Sequence, residues 1–305
     1  MKHLFGPVNS RRLGLSQGID LLPPKTCNFN CIYCEINAAP QLSCERSEHV
    51  PTEVIIQEID ELMQNKNLVQ KLDVFTITAS GEPTLHTGIG RIIRYLKEKT
   101  DKPVAILTNG SLLHLSEIRS DLMAADIVIP SLDAARPASF RKVNRPAKCV
   151  AGLDEIISGL EIFSREFNGQ VWLEVLLVEN INDAPEDIEA LVKAIFRVKP
   201  TRVQLNTVAR PPYESFAEPL SRERMLEVKA QVEAAFDGPV DVLAGIEEKP
   251  VSEVKDGDYQ PGRVTTDKSL EDEIVNLLRR RPCTVADMAK TLEMKKENVV
   301  MVLED

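Results

Sequence analysis

The chain has 305 residues, 37 basic against 47 acidic side chains and a formal net charge of −10, which argues against a surface built throughout to cling to nucleic acid. Hydrophobic residues make up 43% and charged residues 28%, ordinary globular usage that excludes disorder for most of the chain. No apolar run approaches the ~18 residues of a membrane span, and the start MKHLFGPVNSRRLG lacks the apolar stretch of a secretory signal; six cysteines in such a chain point to the reducing cytoplasm, with metal binding or catalysis ahead of disulfides.

In chain order, a first strand is expected over 18–23 (GIDLLP). A helix follows Pro51, capped by Thr52, with Ile55, Ile56, Ile59, Leu62 and Met63 on one face. Strands are expected next over 74–80 (VFTITAS), 103–110 (PVAILTNG), 126–133 (DIVIPSLD), 170–178 (QVWLEVLLV) and 202–208 (RVQLNTV), each pair separated by an amphipathic stretch. This alternation is the signature of βαβ units and a parallel sheet, hence an α/β fold. Six strands are too few for a closed eight-stranded barrel, which leaves a partial barrel or an open sheet over residues 1–244. Residues 245–266 lose the period and read as a linker. From Asp267 the pattern is helical: Leu270, Ile274, Leu277 and Leu278 form a stripe, and Thr284 offers a cap for a further helix. Residues 267–305 therefore read as a small helix-turn-helix unit.

The strongest chemical signal is Cys27-Asn-Phe-Asn-Cys31-Ile-Tyr-Cys34. Loops that follow parallel strands lie at the carboxyl end of the sheet, where ligands bind. Three thiolates on one short loop hold three irons of a [4Fe–4S] cluster and leave the fourth iron open. A structural zinc site is the rival. It needs a fourth ligand, Cys44 or His49, and no second C-x-x-C is present. Cys44, Cys149 and Cys283 are expected to be inert buried thiols.

Cys27, Cys31, Tyr33 and Cys34 resemble the C-x-x-x-C-x-aromatic-C motif of the radical S-adenosylmethionine (SAM) superfamily. The segments GPVNSRRLG, SGEPTLH, LTNGSLL, SLDA, RKVNRP and VQLNTVARPP are similar to one branch of it, the Fe–S oxidoreductases related to wybutosine (4-demethylwyosine) synthesis. Those relatives carry a second cluster on cysteines upstream of the motif; residues 1–26 contain no cysteine.

The resemblance implies a partial (β/α)6 barrel, a [4Fe–4S] cluster on Cys27, Cys31 and Cys34, and SAM chelated through the open iron. A flavodoxin or ferredoxin type of electron donor is implied too. Gly81-Glu82-Pro83 matches the family's Gly-Gly-Glu-Pro motif with Ser80 in place of the first Gly. Gly81 is expected to let backbone approach the methionine amino group, and Glu82 to accept its charged bonds or fix the turn. Thr108, Asn109, Ser131 and Asp133 stand at strand ends, within reach of the ribose or carboxylate of SAM. Glu174 and Asn206 are expected to point into the barrel towards SAM, and Tyr33 to touch the adenine. Trp172 reads as core.

Arg11, Arg12, Arg141, Lys142, Arg145 and Arg210 fall on loops assigned to the mouth, and as a set they point to an anionic substrate, a tRNA base, a protein or a metabolite. The basic and acidic residues of 267–305 offset one another, so docking to protein or RNA is favoured there over DNA binding. The rival outside enzymes, an iron–sulfur regulator that binds DNA, has no need of Glu82, Ser131 and Asp133 together.

Overall fold

The computed structural model describes residues 1–10, 12–36, 42–78 and 80–243, together with Val285, Val299 and Val300. The expected linker over 245–266 and helix-turn-helix unit over 267–305, with Cys283, lie outside the described residues. No helix among the described residues is long and apolar enough to cross a membrane.

Eight strands form one sheet in sequential order: β1 (Leu4–Ser10), β2 (Gly14–Asp20), β3 (Val74–Thr78), β4 (Val104–Thr108), β5 (Ile127–Pro130), β6 (Gln170–Leu177), β7 (Arg202–Thr207) and β8 (Val240–Val242). Strands β2 to β8 run parallel, and β1 pairs antiparallel with β2. The helices between them are α1 (Thr52–Met63), α2 (Lys66–Lys71), α3 (Ile89–Lys99), α4 (Ser116–Leu122), α5 (Pro137–Val143), α6 (Leu153–Glu166), α7 (Pro185–Val198) and α8 (Arg222–Glu233).

Three sequence expectations are corrected. The described residues contain eight strands, not six. β1 is interrupted by Gly6-Pro7 and a register shift between Phe5 and Val8, which erases its alternation, and β8 spans only three residues. The first parallel strand lies at Gly14–Asp20 instead of 18–23, because its register sets Ser16 beside Val74 and Asp20 beside Thr78. Its inward Ser16, whose hydroxyl lies 2.6 Å from that of Thr76, hid it among polar positions. Thr52 is the first helical residue of α1 and not its cap; Pro51 precedes the helix, and the Thr52 hydroxyl donates to Glu48.

The helices pack on one face of the sheet. In α3, Ile89, Ile92, Ile93 and Leu96 are fully buried, each contributing about 1.5–3 kcal/mol. Proline opens α5 and α7 at the first turn, where its missing N–H costs nothing. On the other face of the sheet, Val74, Ala105, Ile127 and Ile129 form a separate apolar cluster with Leu13, Leu107 and Trp172. Alternation along β6 puts Trp172, Glu174 and Leu176 on this face and buries Leu173, Val175 and Leu177 on the helix side.

The sheet is strongly curled. Arg12, just before β2, donates to Gln204 on β7 at 3.0 Å. Those strands are five steps apart, about 24 Å in a flat sheet at ~4.8 Å per step, far beyond one side chain. The inner face is therefore concave, and side chains from distant strands converge within it.

Candidate functional site

The concave face holds a cavity of about 250 Å3. It is lined by Cys27 and Cys31, by Gly81 and Glu82 after β3, by Thr108 and Asn109 at the end of β4, and by Ser131 and Glu174 from β5 and β6. Six of the nine residues expected to face SAM thus share one cavity. Tyr33, Asp133 and Asn206 stand behind its wall, and Cys34 is not among the lining residues.

Backbone contacts hold the cysteine loop in place. Asn30 N–H donates to Asn144 O at 3.0 Å, Ile32 N–H to Val143 O at 3.0 Å and Ala147 N–H to Asn28 O at 2.9 Å. Gly81 is required for close approach: a Cβ there would sit 1.9 Å from Thr26 O, which also accepts from Glu82 N–H at 2.9 Å. The space gained by the missing side chain is therefore filled by the start of the cysteine loop.

The Glu82 carboxylate is 1% exposed and already occupied. One oxygen accepts from Thr84 N–H (3.0 Å), the Thr84 hydroxyl and the Thr108 hydroxyl (2.6 Å); the other accepts from Asn109 N–H (2.6 Å). Burial raises its pKa, and these four donors pull it down. Of its two expected roles, the geometry matches the turn-fixing one.

Asp133 has a similar post. It accepts from the Tyr33 hydroxyl (2.5 Å), Asn144 Nδ2 (2.6 Å) and Leu176 N–H (2.9 Å), tying the cysteine loop to β6. Burial lifts its pKa to about 6 against these bonds. Raised above the unfolded value, this pKa means that the native state holds the proton more tightly. The contribution of Asp133 to stability is thus full below about pH 4 and lost as pH rises through about 6. Denaturant titrations of the wild type and Asp133→Asn between pH 4 and 6.5 should differ in pH slope, the variant lacking this declining component. Parallel slopes would show that Asp133 titrates normally.

The floor of the cavity was not legible in advance. Arg12 pairs with Glu174 and donates to Gln204, while Asn206 Nδ2 donates to Glu174 at 3.1 Å. The hairpin turn before β2 lies at the amino ends of the parallel strands, so Arg12 sits at the floor and not at the mouth. Others of the basic set are engaged as well: Arg145 pairs with Glu214 and Arg210 with Glu35, while Arg141 and Lys142 are exposed; Arg11 lies outside the described residues.

Sequence reasoning also missed Asn28 and Asn144. Asn28 Nδ2 donates to Ser111 Oγ at 2.8 Å, and its Oδ1 accepts from Asn109 Nδ2 at 2.7 Å. Asn144 Nδ2 lies 3.4 Å from Cys31 Sγ. The RKVNRP resemblance was the available signal for Asn144.

A further correction concerns the remaining cysteines. Cys44 and Cys149 are not free buried thiols but are joined in a disulfide. The residues are 105 positions apart, a pairing that spacing alone does not reveal. Cys149 is exposed. The bond removes Cys44 from the list of fourth ligands for zinc.

Cys27, Cys31 and Cys34 are free thiols. Burial pushes the Cys27 thiol up to about 12 and that of Cys31 well above its usual range, so a cation must displace their protons to bind them. Among the described residues, no three His, Cys, Asp or Glu side chains converge as ligands for one metal ion. Three free thiols on one loop, of which Cys27 and Cys31 line the polar cavity and lie within reach of amide N–H groups, fit the donor set of a polynuclear iron–sulfur cluster.

The comparisons agree with this reading of the fold. The family model described as "Radical SAM superfamily" matches residues 21–195. A protein named "GTPase Obg" from Brachyspira hyodysenteriae is 39% identical over 99% of this chain, which spans only 42% of that relative's length. A "UPF0026 protein" from Helicobacter pylori is 38% identical over 73% of this chain and 71% of its own. Among solved structures, "Structure of TYW1 with a lysine-pyruvate adduct bound" superposes with a TM-score of 0.54 at 18% identity, covering 76% of each chain; at that identity the likeness concerns the fold. The cysteine loop, the strand-end polar residues and the curled parallel sheet all lie within or beside the matched region, and the chain belongs to the radical SAM superfamily.

Proposed function

We propose that the chain is an enzyme that cleaves SAM reductively at a [4Fe–4S] cluster held by Cys27, Cys31 and Cys34. The observation that carries this reading is the set of three free cysteines on one loop, two of them opening on a polar cavity that Ser131, Asn109 and Glu174 also line. Held by these three cysteines, a [4Fe–4S] cluster would supply the electron for cleavage of SAM to methionine and a 5′-deoxyadenosyl radical able to abstract hydrogen from substrate. A flavodoxin- or ferredoxin-type protein supplies the electron.

The chain's own residues hold and enclose. Glu82 clamps the ends of β3 and β4 in register, so Thr108 and Asn109 keep their places beside Cys27. Glu174, neutralised by Arg12, offers SAM a hydrogen-bond acceptor without an isolated buried charge. The apolar layer of Val74, Ala105 and Ile127 keeps water from the floor. For the substrate, the resemblance to wybutosine-type enzymes favours an anionic molecule, a tRNA base first, with Arg141 and Lys142 exposed to meet it.

Anaerobically reconstituted protein, reduced with dithionite and given SAM, should release 5′-deoxyadenosine slowly without any substrate. An unoccupied site leaves the radical to be quenched unproductively. Full cluster content with no release above a protein-free control would overturn the reading.

A further inference from the structure

Asn144 closes α5 at its carboxyl end, and its backbone is held on both sides: its N–H donates to Phe140 O and its carbonyl accepts from Asn30 N–H, both at 3.0 Å. The residue is 3% exposed. Its Nδ2 reaches Asp133 Oδ2 at 2.6 Å and Cys31 Sγ at 3.4 Å. Its Oδ1 is buried with no hydrogen-bond partner.

These contacts determine how the amide faces. Asp133 Oδ2 is an acceptor held in place by the Tyr33 hydroxyl, with Oδ1 of the same carboxylate fixed by Leu176 N–H. Turning the amide over would set Asn144 Oδ1 against that carboxylate and against the sulfur. The NH2 edge must therefore face both, and the structure tolerates an orphaned carbonyl oxygen to keep it there. Asn109 is a weaker counterpart on Cys27. Its Nδ2 already serves Asn28 at 2.7 Å and lies 3.8 Å from the sulfur.

We propose that Asn144 is a positioning residue that raises the reduction potential of the cluster through its N–H donated to the Cys31 thiolate. The inference rests on the cluster reading above. Adding an electron increases the negative charge shared by the thiolate sulfurs, so a donor aimed at one of them stabilises the reduced form more than the oxidised form. At the Cys31 corner the buried Asp133 carboxylate, which shares the Asn144 amide with the sulfur, acts in the opposite direction. Asn144 stands between the two, and Asp133, through Tyr33 and Asn144, controls the direction of the donor without touching the sulfur.

The test compares wild type, Asn144→Ala and Asn144→Gln, each reconstituted anaerobically. Iron and sulfide per chain are measured first, then the midpoint potential by a redox titration of the reduced cluster's paramagnetic resonance signal. The expected result is full iron in all three, a more negative midpoint in Asn144→Ala, and a return towards wild type in Asn144→Gln, which keeps the amide donor. An unchanged midpoint in a fully loaded Asn144→Ala overturns the proposal. So does loss of iron from both variants, which would make Asn144 a structural support of the loop. If Asn144→Ala alone fails to load, the Gln variant decides: a midpoint near wild type supports the proposal, and one shifted far from it counts against it. A wild type that takes up no iron under the same conditions defeats the cluster reading itself, an outcome distinct from the others.

Discussion

Alanine at Cys27, Cys31 and Cys34 together should leave a folded chain that holds no iron. Wild type prepared without oxygen should be brown and carry about four irons per chain; the triple variant should fall to background and lose 5′-deoxyadenosine release with it. The fold is expected to survive because the loop is fixed by backbone bonds to Val143, Asn144 and Ala147, none of which involves sulfur. Circular dichroism and a denaturant midpoint check the fold, and iron analysis checks the site. Iron retained by the triple variant, or a single zinc in the wild type, would remove the cluster and with it the proposed chemistry.

Glu82→Ala is expected to act through stability. Two backbone N–H groups, that of buried Thr84 and that of half-buried Asn109, would lose their acceptor; the two threonine hydroxyls can turn elsewhere. At about 1–3 kcal/mol for each stranded donor, the loss is about 2–6 kcal/mol, a large fraction of the stability of an ordinary domain. Glu82→Gln should be milder but not neutral, since its amide nitrogen would confront the Asn109 N–H that the second carboxylate oxygen now serves. Urea titrations read both. If Glu82→Ala kept wild-type stability and only weakened SAM binding in equilibrium dialysis, Glu82 would instead be a direct ligand of SAM.

Much of the site could be read from sequence because parallel strands end where function gathers, and those ends carry punctuation. Gly81-Glu82-Pro83, Thr108-Asn109-Gly110 and Ser131 with Asp133 each follow an apolar β-branched run, and all are found at or just behind the cavity. Strand alternation likewise put Glu174 on the inner face. What stayed hidden depends on tertiary closure. Arg12 meets Glu174 and Gln204 only because the sheet curls, which no local pattern encodes. Asn144 lies on a helix end more than a hundred residues from the sulfur it approaches, and Cys44 finds Cys149 across a similar span. The role of Glu82 was legible as a pair of alternatives; the donors around its oxygens show the turn-fixing contacts, and the SAM-binding measurement above addresses the other. The Gly6-Pro7 strand was obscured by its own irregularity.

Arg12 has a bearing on traffic. With its guanidinium locked to Glu174 and Gln204 over the layer of Leu13, Val74 and Trp172, the amino end of the curled sheet is stoppered. A molecule lodged between that stopper and the cysteines would then come and go through the opposite rim. Two molecules that share such a vessel form a queue: the inner one enters first and leaves last. On the proposed reading SAM would take the inner polar wall and enter before the substrate from which its radical abstracts hydrogen. The substrate would then stand in the doorway behind it, so that a reactive species formed inside would meet its target before it met water.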